Sequence, residues 1–285
     1  VEVPSGVDLS SADSTERREQ GQRAFVAEFT GEVEADGFNR LVLTAGLSVR
    51  SASLLRAYGR YLRQIGFPFS QQYIEQTLVR HATIAAAIVD CFEARFDPDL
   101  VGDRDTIAAV RRDAVLTALD GVPGLDDDRT FRALLALVDA TVRTNAYRAG
   151  DNGAPARPVL AFKFDAAKVP DLPLPRPMFE IWVCSPEVEG VHLRNGRIAR
   201  GGLRWSDRRE DFRTEVLGLV KAQIVKNAVI VPTGAKGGFV IKRPPVDPAA
   251  FREAGVACYT RFIEGLLDVT NNIVGGAVVP PPRTV

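Results

Sequence analysis

The sequence has 285 residues, of which 46% are hydrophobic, and its 36 basic and 36 acidic side chains give a net charge of zero. A chain of this composition can bury one large core or two ordinary ones, and the balance of charge argues against a nucleic-acid partner. The three cysteines are scattered, which argues against a disulfide framework, and two histidines are too few for a histidine-based metal cluster. The apolar runs are too short to span a membrane. We therefore expect a cytoplasmic protein.

The first half of the chain, residues 1–150, predicts a helical region. Apolar residues recur there at helical spacing between Gly, Pro and Asp-Gly turns, which predicts helices over 11–29, 41–66, 70–96, 105–119 and 130–147. A leucine and tyrosine pattern of this kind is typical of a packed core, and we assign no catalytic residue to it.

The periodicity changes after the turn-rich linker 149–158, and residues 151–285 predict an α/β domain. The predicted strands are 158–164, 178–184, 188–194, 228–232 and 238–242, and the predicted helices are 207–227 and 248–272. Asp207 followed by Glu210 is typical of a capping box at the start of the first of these helices. The expected fold is therefore mixed α/β, with a helical region before a layer of sheet and covering helices.

Basic residues are concentrated between His192 and Arg243, a stretch that contains twelve Lys or Arg and only four Asp or Glu. This stretch carries +8 in a chain of zero net charge, which is typical of a site that binds an anion. The chain has thirty Arg and six Lys, yet four of the six Lys fall between 221 and 242. Because lysine is a compact amine suited to proton transfer and carbonyl chemistry, the stretch predicts an active-site segment.

Three cations in this stretch are candidate site residues, and each also has a simpler interpretation. Arg200 precedes two glycines that would let a ligand or strand approach the backbone, but with Arg204 it could form a solvated turn. Lys226 could complement the C-terminal end of its predicted helix, and Lys236 could be a charge at the tip of the glycine loop GAKGG. Their joint occurrence in a lysine-poor chain favours a common site.

The motif RGGLRW at 200–205, followed by KNAVIVPTGAKGG at 226–238, resembles the substrate-binding segment of the glutamate dehydrogenase superfamily. The sequence of residues 205–238 resembles most closely the large bacterial NAD-specific glutamate dehydrogenases. Residues 45–78 resemble the helical segment that lies upstream in those enzymes. The resemblance covers most of the chain and is highly specific over 200–242.

This resemblance implies oxidative deamination of L-glutamate to 2-oxoglutarate and ammonia, with hydride passing to NAD, in a homo-oligomeric enzyme. It matches Lys236 to the catalytic lysine and Lys226 to the lysine that holds the substrate α-carboxylate. Arg200 falls where smaller members carry a lysine for the side-chain carboxylate, and so it favours a dicarboxylic substrate. The substrate-binding set that the resemblance implies is Arg200, Gly201, Gly202, Arg204 and Lys226.

Two features of the family pattern have no match in the chain, namely the catalytic aspartate past the last helix and the glycine-rich fingerprint of a Rossmann domain. We therefore expect NAD to bind mainly to a domain outside this chain, and the segment alone to be inactive. Two alternatives stay open: a non-catalytic anion-binding or regulatory module that keeps the carboxylate clamp, and an oligomerisation segment in which residues 1–150 are the working part.

Overall fold

The computed structural model describes residues 15–148, 159–196, 201–227 and 234–284. They form two compact units, of which the first comprises the residues up to 63 together with 68–138, and the second comprises 64–67 together with the residues from 139 onwards. The predicted fold class, a helical region followed by an α/β domain, is confirmed. The division at residue 150 stays a prediction.

The first unit is helical. Its helices are α1 Thr15–Phe29, α2 Arg40–Thr44, α3 Val49–Gln64, α4 Gln71–Arg80, α5 Ala82–Phe96, α6 Arg104–Leu119 and α7 Leu125–Ala140, with a 3₁₀ turn at Gly37–Asn39. The predicted helices 41–66 and 70–96 are each divided in two. Gly46, with φ at 67°, follows the end of α2, and the Ser48 hydroxyl accepts a hydrogen bond from Ser51 N in the first turn of α3.

The leucine and tyrosine pattern of α3 is a packed core, as predicted. Tyr58 and Tyr61 are fully buried, and Tyr58 meets Phe92 of α5 edge to face with ring centroids 6.2 Å apart. Aromatic side chains supply much of the apolar area that stabilises a core of this size.

A group of polar side chains, called the Asp127 hub below, joins α7 to α4 and to His81, the residue between α4 and α5. The carboxylate of Asp127 on α7 accepts hydrogen bonds from Tyr73 Oη at 2.8 Å, Thr77 Oγ1 at 2.9 Å and Arg80 at 2.5 Å, and it lies 3.1 Å from His81 Nε2. Burial alone would raise the pKa of Asp127, but these hydrogen bonds outweigh it and hold the pKa well below the usual range of a carboxyl group.

The second unit is a six-stranded sheet between two helices. The strands are β1 Thr141–Thr144, β2 Leu160–Asp165, β3 Phe179–Cys184, β4 Val188–Arg194, β5 Leu203–Trp205 and β6 Ala235–Ile241, in the order β1-β2-β3-β4-β6-β5. All neighbours are antiparallel except β5 and β6. The helices are α8 Phe212–Asn227 and α9 Pro248–Asp268, and a separate hairpin follows from β7 Asn272–Val274 and β8 Ala277–Val279.

Each face of the sheet has its own helix. On one face, Phe212 of α8 stacks on Trp182 of β3 at 6.1 Å. On the other, Phe262 of α9 packs with Val183 and Phe239 in a buried apolar cluster. This three-layer arrangement explains why most strand residues are buried on both sides and why the strands read as nearly continuous apolar runs.

Three predictions at the ends of elements are wrong. The helix predicted over 130–147 ends at Ala140, and the next four residues form β1 against β2. The capping box at Asp207 is wrong because α8 begins at Phe212, after a turn over 207–211. Lys236, expected in a loop, is the second residue of β6. The predicted strand 228–232 lies outside the described residues.

No helix in the described ranges is long and apolar enough to cross a bilayer.

Candidate active site

A parallel crossover brings the candidate residues to one end of the sheet. β5 leads into α8, and α8 leads back to β6, which lies beside β5 and runs parallel to it. The helix of such a unit runs opposite to its two strands, so the end of α8 and the starts of β5 and β6 share one end of the unit. Lys226 is in the last turn of α8, and Gly202 and Lys236 are at the starts of the two strands.

The two glycines of RGGLRW lie directly against the strand that carries Lys236. A Cβ atom added to Gly201 would lie 1.4 Å from the carbonyl oxygen of Ala235, so no side chain fits there. Gly202 O accepts a hydrogen bond from Gly237 N at 3.3 Å, and the Lys236 amine lies 3.9 Å from the place where a Cβ of Gly202 would be. The two motifs named in the sequence therefore meet in space.

Lys236 is half-buried on the face of the sheet that α8 covers. Alternate residues of a strand face the same layer, and Gly238, two residues further along β6, lies against Val216 of α8. Lys236 pairs with Leu193 of β4. A primary amine held beside an open glycine backbone has room for a small ligand next to it.

Two of the residues predicted to bind the substrate carboxylates, Arg200 and Lys226, have side chains outside the described part of the structure. Arg200 lies outside the described residues, and only the backbone position of Lys226, in the last turn of α8, belongs to them. Their roles toward the two substrate carboxylates stay predictions.

Arg204 is held within the protein by an ion pair. Its Nε lies 2.5 Å from Glu215 Oε1 in the first turn of α8, and the other oxygen of Glu215 accepts a hydrogen bond from Ser206 Oγ at 2.5 Å. The Glu215 side chain is 15% exposed and that of Arg204 is 53% exposed. This pair ties the end of β5 to the start of α8, a role that the sequence analysis did not assign to Arg204.

Part of the basic surplus in 192–243 is neutralised inside the second unit. Arg213 and Glu180 form a fully buried ion pair, and the Lys242 amine lies 2.9 Å from Glu189 Oε1 with both side chains buried. The two acids precede the basic stretch, so a count restricted to that stretch overstates the charge available to a ligand. Spacing along the chain gives no signal for such pairs.

His192 is a buried neighbour of this end of the sheet. It pairs with Gly237, the residue after Lys236, and its side chain is on the face opposite the one that Lys236 occupies. Burial, with a smaller effect of the Arg194 charge, lowers the pKa of His192 to about 4. The imidazole is therefore neutral at physiological pH.

Within the described ranges, no group of three or more His, Cys, Asp and Glu side chains is placed to hold a metal ion. The connection from β5 to α8 does not match a Rossmann fingerprint, because it runs through 206–211, a turn that contains no glycine.

Comparisons with known proteins agree with the resemblance recognised in the sequence. Residues 114–285 match the family described as bacterial NAD-glutamate dehydrogenase, catalytic domain, and residues 33–98 match glutamate dehydrogenase, helical motif 3. The chain is 56% identical over 274 residues to an NAD-specific glutamate dehydrogenase of Mycobacterium tuberculosis and 55% identical over 265 residues to one of Halomonas elongata.

A third relative, the NAD-specific glutamate dehydrogenase of Pseudomonas aeruginosa, is 51% identical over 273 residues. The three alignments cover 92%, 92% and 93% of this chain, but only 17%, 16% and 16% of the relatives. The chain therefore spans about a sixth of the length of the curated relatives it matches.

Proposed function

Because the chain belongs to the bacterial NAD-glutamate dehydrogenase family, we propose that the protein containing it oxidises L-glutamate to 2-oxoglutarate and ammonia and reduces NAD. The observation that carries this proposal is the position of the Lys236 amine, 3.9 Å from the Cβ position of Gly202, at the end of the sheet where α8 also ends. Gly202 has no side chain beside the Lys236 amine, and this leaves room for a small amino acid to lie next to that amine.

Within this proposal, Lys236 is the catalytic residue. It stabilises charge at the nitrogen-bearing carbon and moves a proton to or from water or ammonia. Lys226 holds the α-carboxylate and Arg200 the side-chain carboxylate, so that the substrate is fixed at both ends before reaction. A guanidinium facing an apolar side chain would be left desolvated and without an anion, which favours a dicarboxylic amino acid over leucine or phenylalanine.

The remaining parts of the enzyme are supplied from outside the residues described here. We assign NAD, which accepts the hydride when bound, mainly to another part of the protein, because this sequence has no match to the glycine-rich fingerprint of a Rossmann domain. We also propose that the whole protein is a cytoplasmic homo-oligomer, in line with its family.

The test exchanges lysines for arginine in the full-length protein. Lys236→Arg keeps the positive charge, but a guanidinium stays protonated at working pH and cannot transfer a proton, so kcat should fall about 100-fold or more while KM changes little. Lys226→Arg should act mainly on KM, because a static ion pair tolerates a different cation better than proton transfer does.

Lys221→Arg is the matched control, because Lys221 is exposed on α8. Its steady-state constants with glutamate and NAD should equal those of the wild type. If Lys236→Arg retained kcat within a few-fold, the amine would be an anion ligand only and the catalytic role would be lost.

A further inference from the structure

A second group of basic side chains lies on the face of the sheet opposite the candidate active site. Alternate residues of β4 face α9, and His192 and Arg194 continue the row that begins with Val188 in the α9-facing core. Lys163 of β2 is on this face too, because it pairs with Ile181 of β3, which in turn pairs with His192.

Arg143 of β1 extends this row by one strand. It pairs with Lys163, and its guanidinium donates to Val269 O at 3.2 Å and to Asn271 Oδ1 at 2.7 Å, just past the end of α9. Both acceptors are neutral, so these bonds fix the guanidinium without cancelling its charge. Arg143, Lys163, His192 and Arg194 are called the α9-face basic cluster below.

The cluster lies at the same end of the sheet as the candidate active site but on the other side of it. Arg194 pairs with Ala235, the residue before Lys236, while the strand pleat directs the two side chains to opposite faces. The cluster and Lys236 are therefore separate groups that share one end of one sheet.

Lys163 is the central residue of the cluster. Its amine is half-buried and lies 4.3 Å from the centroid of the Phe179 ring, and no carboxylate in the described part of the chain forms an ion pair with it. Burial, followed by the charges of Arg194 and Arg143, lowers the pKa of the Lys163 amine. A half-buried ammonium group beside these guanidinium charges costs free energy, and an anion next to Lys163 would offset that cost.

His192 supplies an independent observation at the same place. Its side chain is only 7% exposed, yet Nδ1 has no hydrogen-bond partner among the residues that the structure describes. A buried polar atom without a partner is uncommon in folded proteins and calls for a ligand or a further protein group. The positive charge of Arg194 also acts on this imidazole.

We propose that the α9-face basic cluster is an anion-binding site that takes a carboxylate group, with Lys163 as its principal cation and His192 Nδ1 as a hydrogen-bond partner. A carboxylate offsets the surplus charge and offers two oxygens for hydrogen bonds. The carboxylate belongs either to a free small dicarboxylate or to an Asp or Glu side chain of the same protein. This site is independent of the proposed catalytic function, because none of its residues is a candidate clamp residue or Lys236.

Zero-length coupling in the full-length protein tests the site and distinguishes the two sources. A carbodiimide joins an amine to a carboxylate that is in contact with it. Formation of the amide releases one water, and the carbodiimide takes up this water and becomes a urea. The reaction is run with and without added succinate, and the lysines that have become amides are identified by mass spectrometry. Lys168 is the internal control, since it is exposed and follows β2 by three residues.

A free ligand should give succinate attached to Lys163 at about ten times the yield found at Lys168, with saturation as succinate increases, because binding raises the local carboxylate concentration. A protein carboxylate should instead give a cross-link between Lys163 and one Asp or Glu, unaffected by succinate. Either result supports the site.

Equal yields at Lys163 and Lys168 in both arms, or no coupling at Lys163 in either arm, would overturn the proposal. The same spectra report succinate on Lys236, and repeating the experiment with Lys236→Met should leave the yield at Lys163 unchanged. Failure of the catalytic proposal is therefore separable from failure of this one.

Discussion

Gly201 shows how one missing side chain shapes the candidate active site. The carbonyl oxygen of Ala235 occupies the place where a Cβ would be, so β5 can lie against β6 only with glycine at this position. The sequence suggested that a ligand or a strand approaches the backbone here, and at Gly201 the approaching group is the neighbouring strand β6.

Gly201→Ala should therefore destabilise the second unit. A Cβ at 1.4 Å from a backbone oxygen must displace β5, and overpacking of this kind costs about 1–3 kcal/mol or more. Gly218→Ala is the matched control, because an added Cβ there meets nothing within 4 Å on α8 and should stabilise by about 0.5–1 kcal/mol. Thermal unfolding of the full-length variants compares the two, and equal midpoints would contradict the close contact.

His192 gives the second unit a defined pH dependence. Its pKa is about 4 in the folded protein, below the value of about 6.5 expected when the chain is unfolded. Between these values the unfolded state binds the proton more tightly, so stability is complete above pH 6.5 and declines toward pH 4, by up to about 3 kcal/mol.

His192→Gln should flatten this dependence, because glutamine does not titrate. Hydrogen exchange of peptides from β3 and β4, compared between wild type and variant at each pH, measures the difference. A wild-type profile that matched the variant from pH 4 to 6.5 would show that His192 is not buried in neutral form.

At the residue scale, the sequence indicated that the two motifs lie together, but it did not indicate which side chain each cation contacts. The glycines at 201 and 202 and Lys236 belong to one motif pair, and the structure brings Gly202 and Lys236 together. Arg204 belongs to the same motif, but its guanidinium pairs with Glu215 eleven residues later. Which charge faces a ligand and which faces another side chain depends on the crossover geometry, and spacing does not encode it.

At the element scale, the α8 layer is joined to the sheet by the buried pair of Arg213 and Glu180. Arg213 Nε donates to Glu180 Oε2 at 3.0 Å, and neither side chain has any exposed surface. Removing one partner of such a pair leaves the other as an uncompensated buried charge.

Glu180→Gln should therefore cost about 3–5 kcal/mol of unfolding free energy and loosen α8. Asp211→Asn is the control, since it breaks the ion pair with Arg208 that is 49% exposed on both sides and should cost about 1 kcal/mol or less. Urea unfolding followed by hydrogen exchange in α8 measures both variants. If the two lost equal stability, the buried pair would not hold the layer.

Strong local periodicity made most elements predictable, and long-range pairing explains the errors. The strands over β2, β3 and β4 lie within one or two residues of their predicted bounds, because apolar runs between turns indicate strands well. β1 continues directly from a helix, and only its pairing with β2 makes Thr141–Thr144 a strand. The β-branched residues of TVRT permit this conformation but do not require it.

At the scale of the whole molecule, the two units should respond separately to mutation. The Asp127 hub lies within the first unit. Because the pKa of Asp127 is lower in the folded protein than in the unfolded chain, its carboxylate stabilises the fold above the unfolded pKa, and this stabilisation is lost as pH falls. Asp127→Asn removes the charge that holds Arg80 and lowers the stability of the first unit at neutral pH by about 2–4 kcal/mol.

Hydrogen exchange in the full-length protein should show this loss in α4, α5 and α7 but not in β2 to β4. Asp128→Asn, next along α7, is the control, because the side chain of its partner Arg132 is 49% exposed and little protection should be lost. Faster exchange in the sheet of Asp127→Asn, equal to that in the helices, would show that the two units unfold as one.

The buried ion pairs of the second unit also bear on its synthesis. Glu180 and Glu189 leave the ribosome before Arg213 and Lys242, with which they form buried ion pairs in the folded unit. Until those partners emerge, the β3–β4 hairpin carries two carboxylates, and burying them would leave two negative charges without a counter-charge. We therefore expect these carboxylates to keep the β3–β4 hairpin hydrated during synthesis, so that the sheet forms only after β6 has emerged.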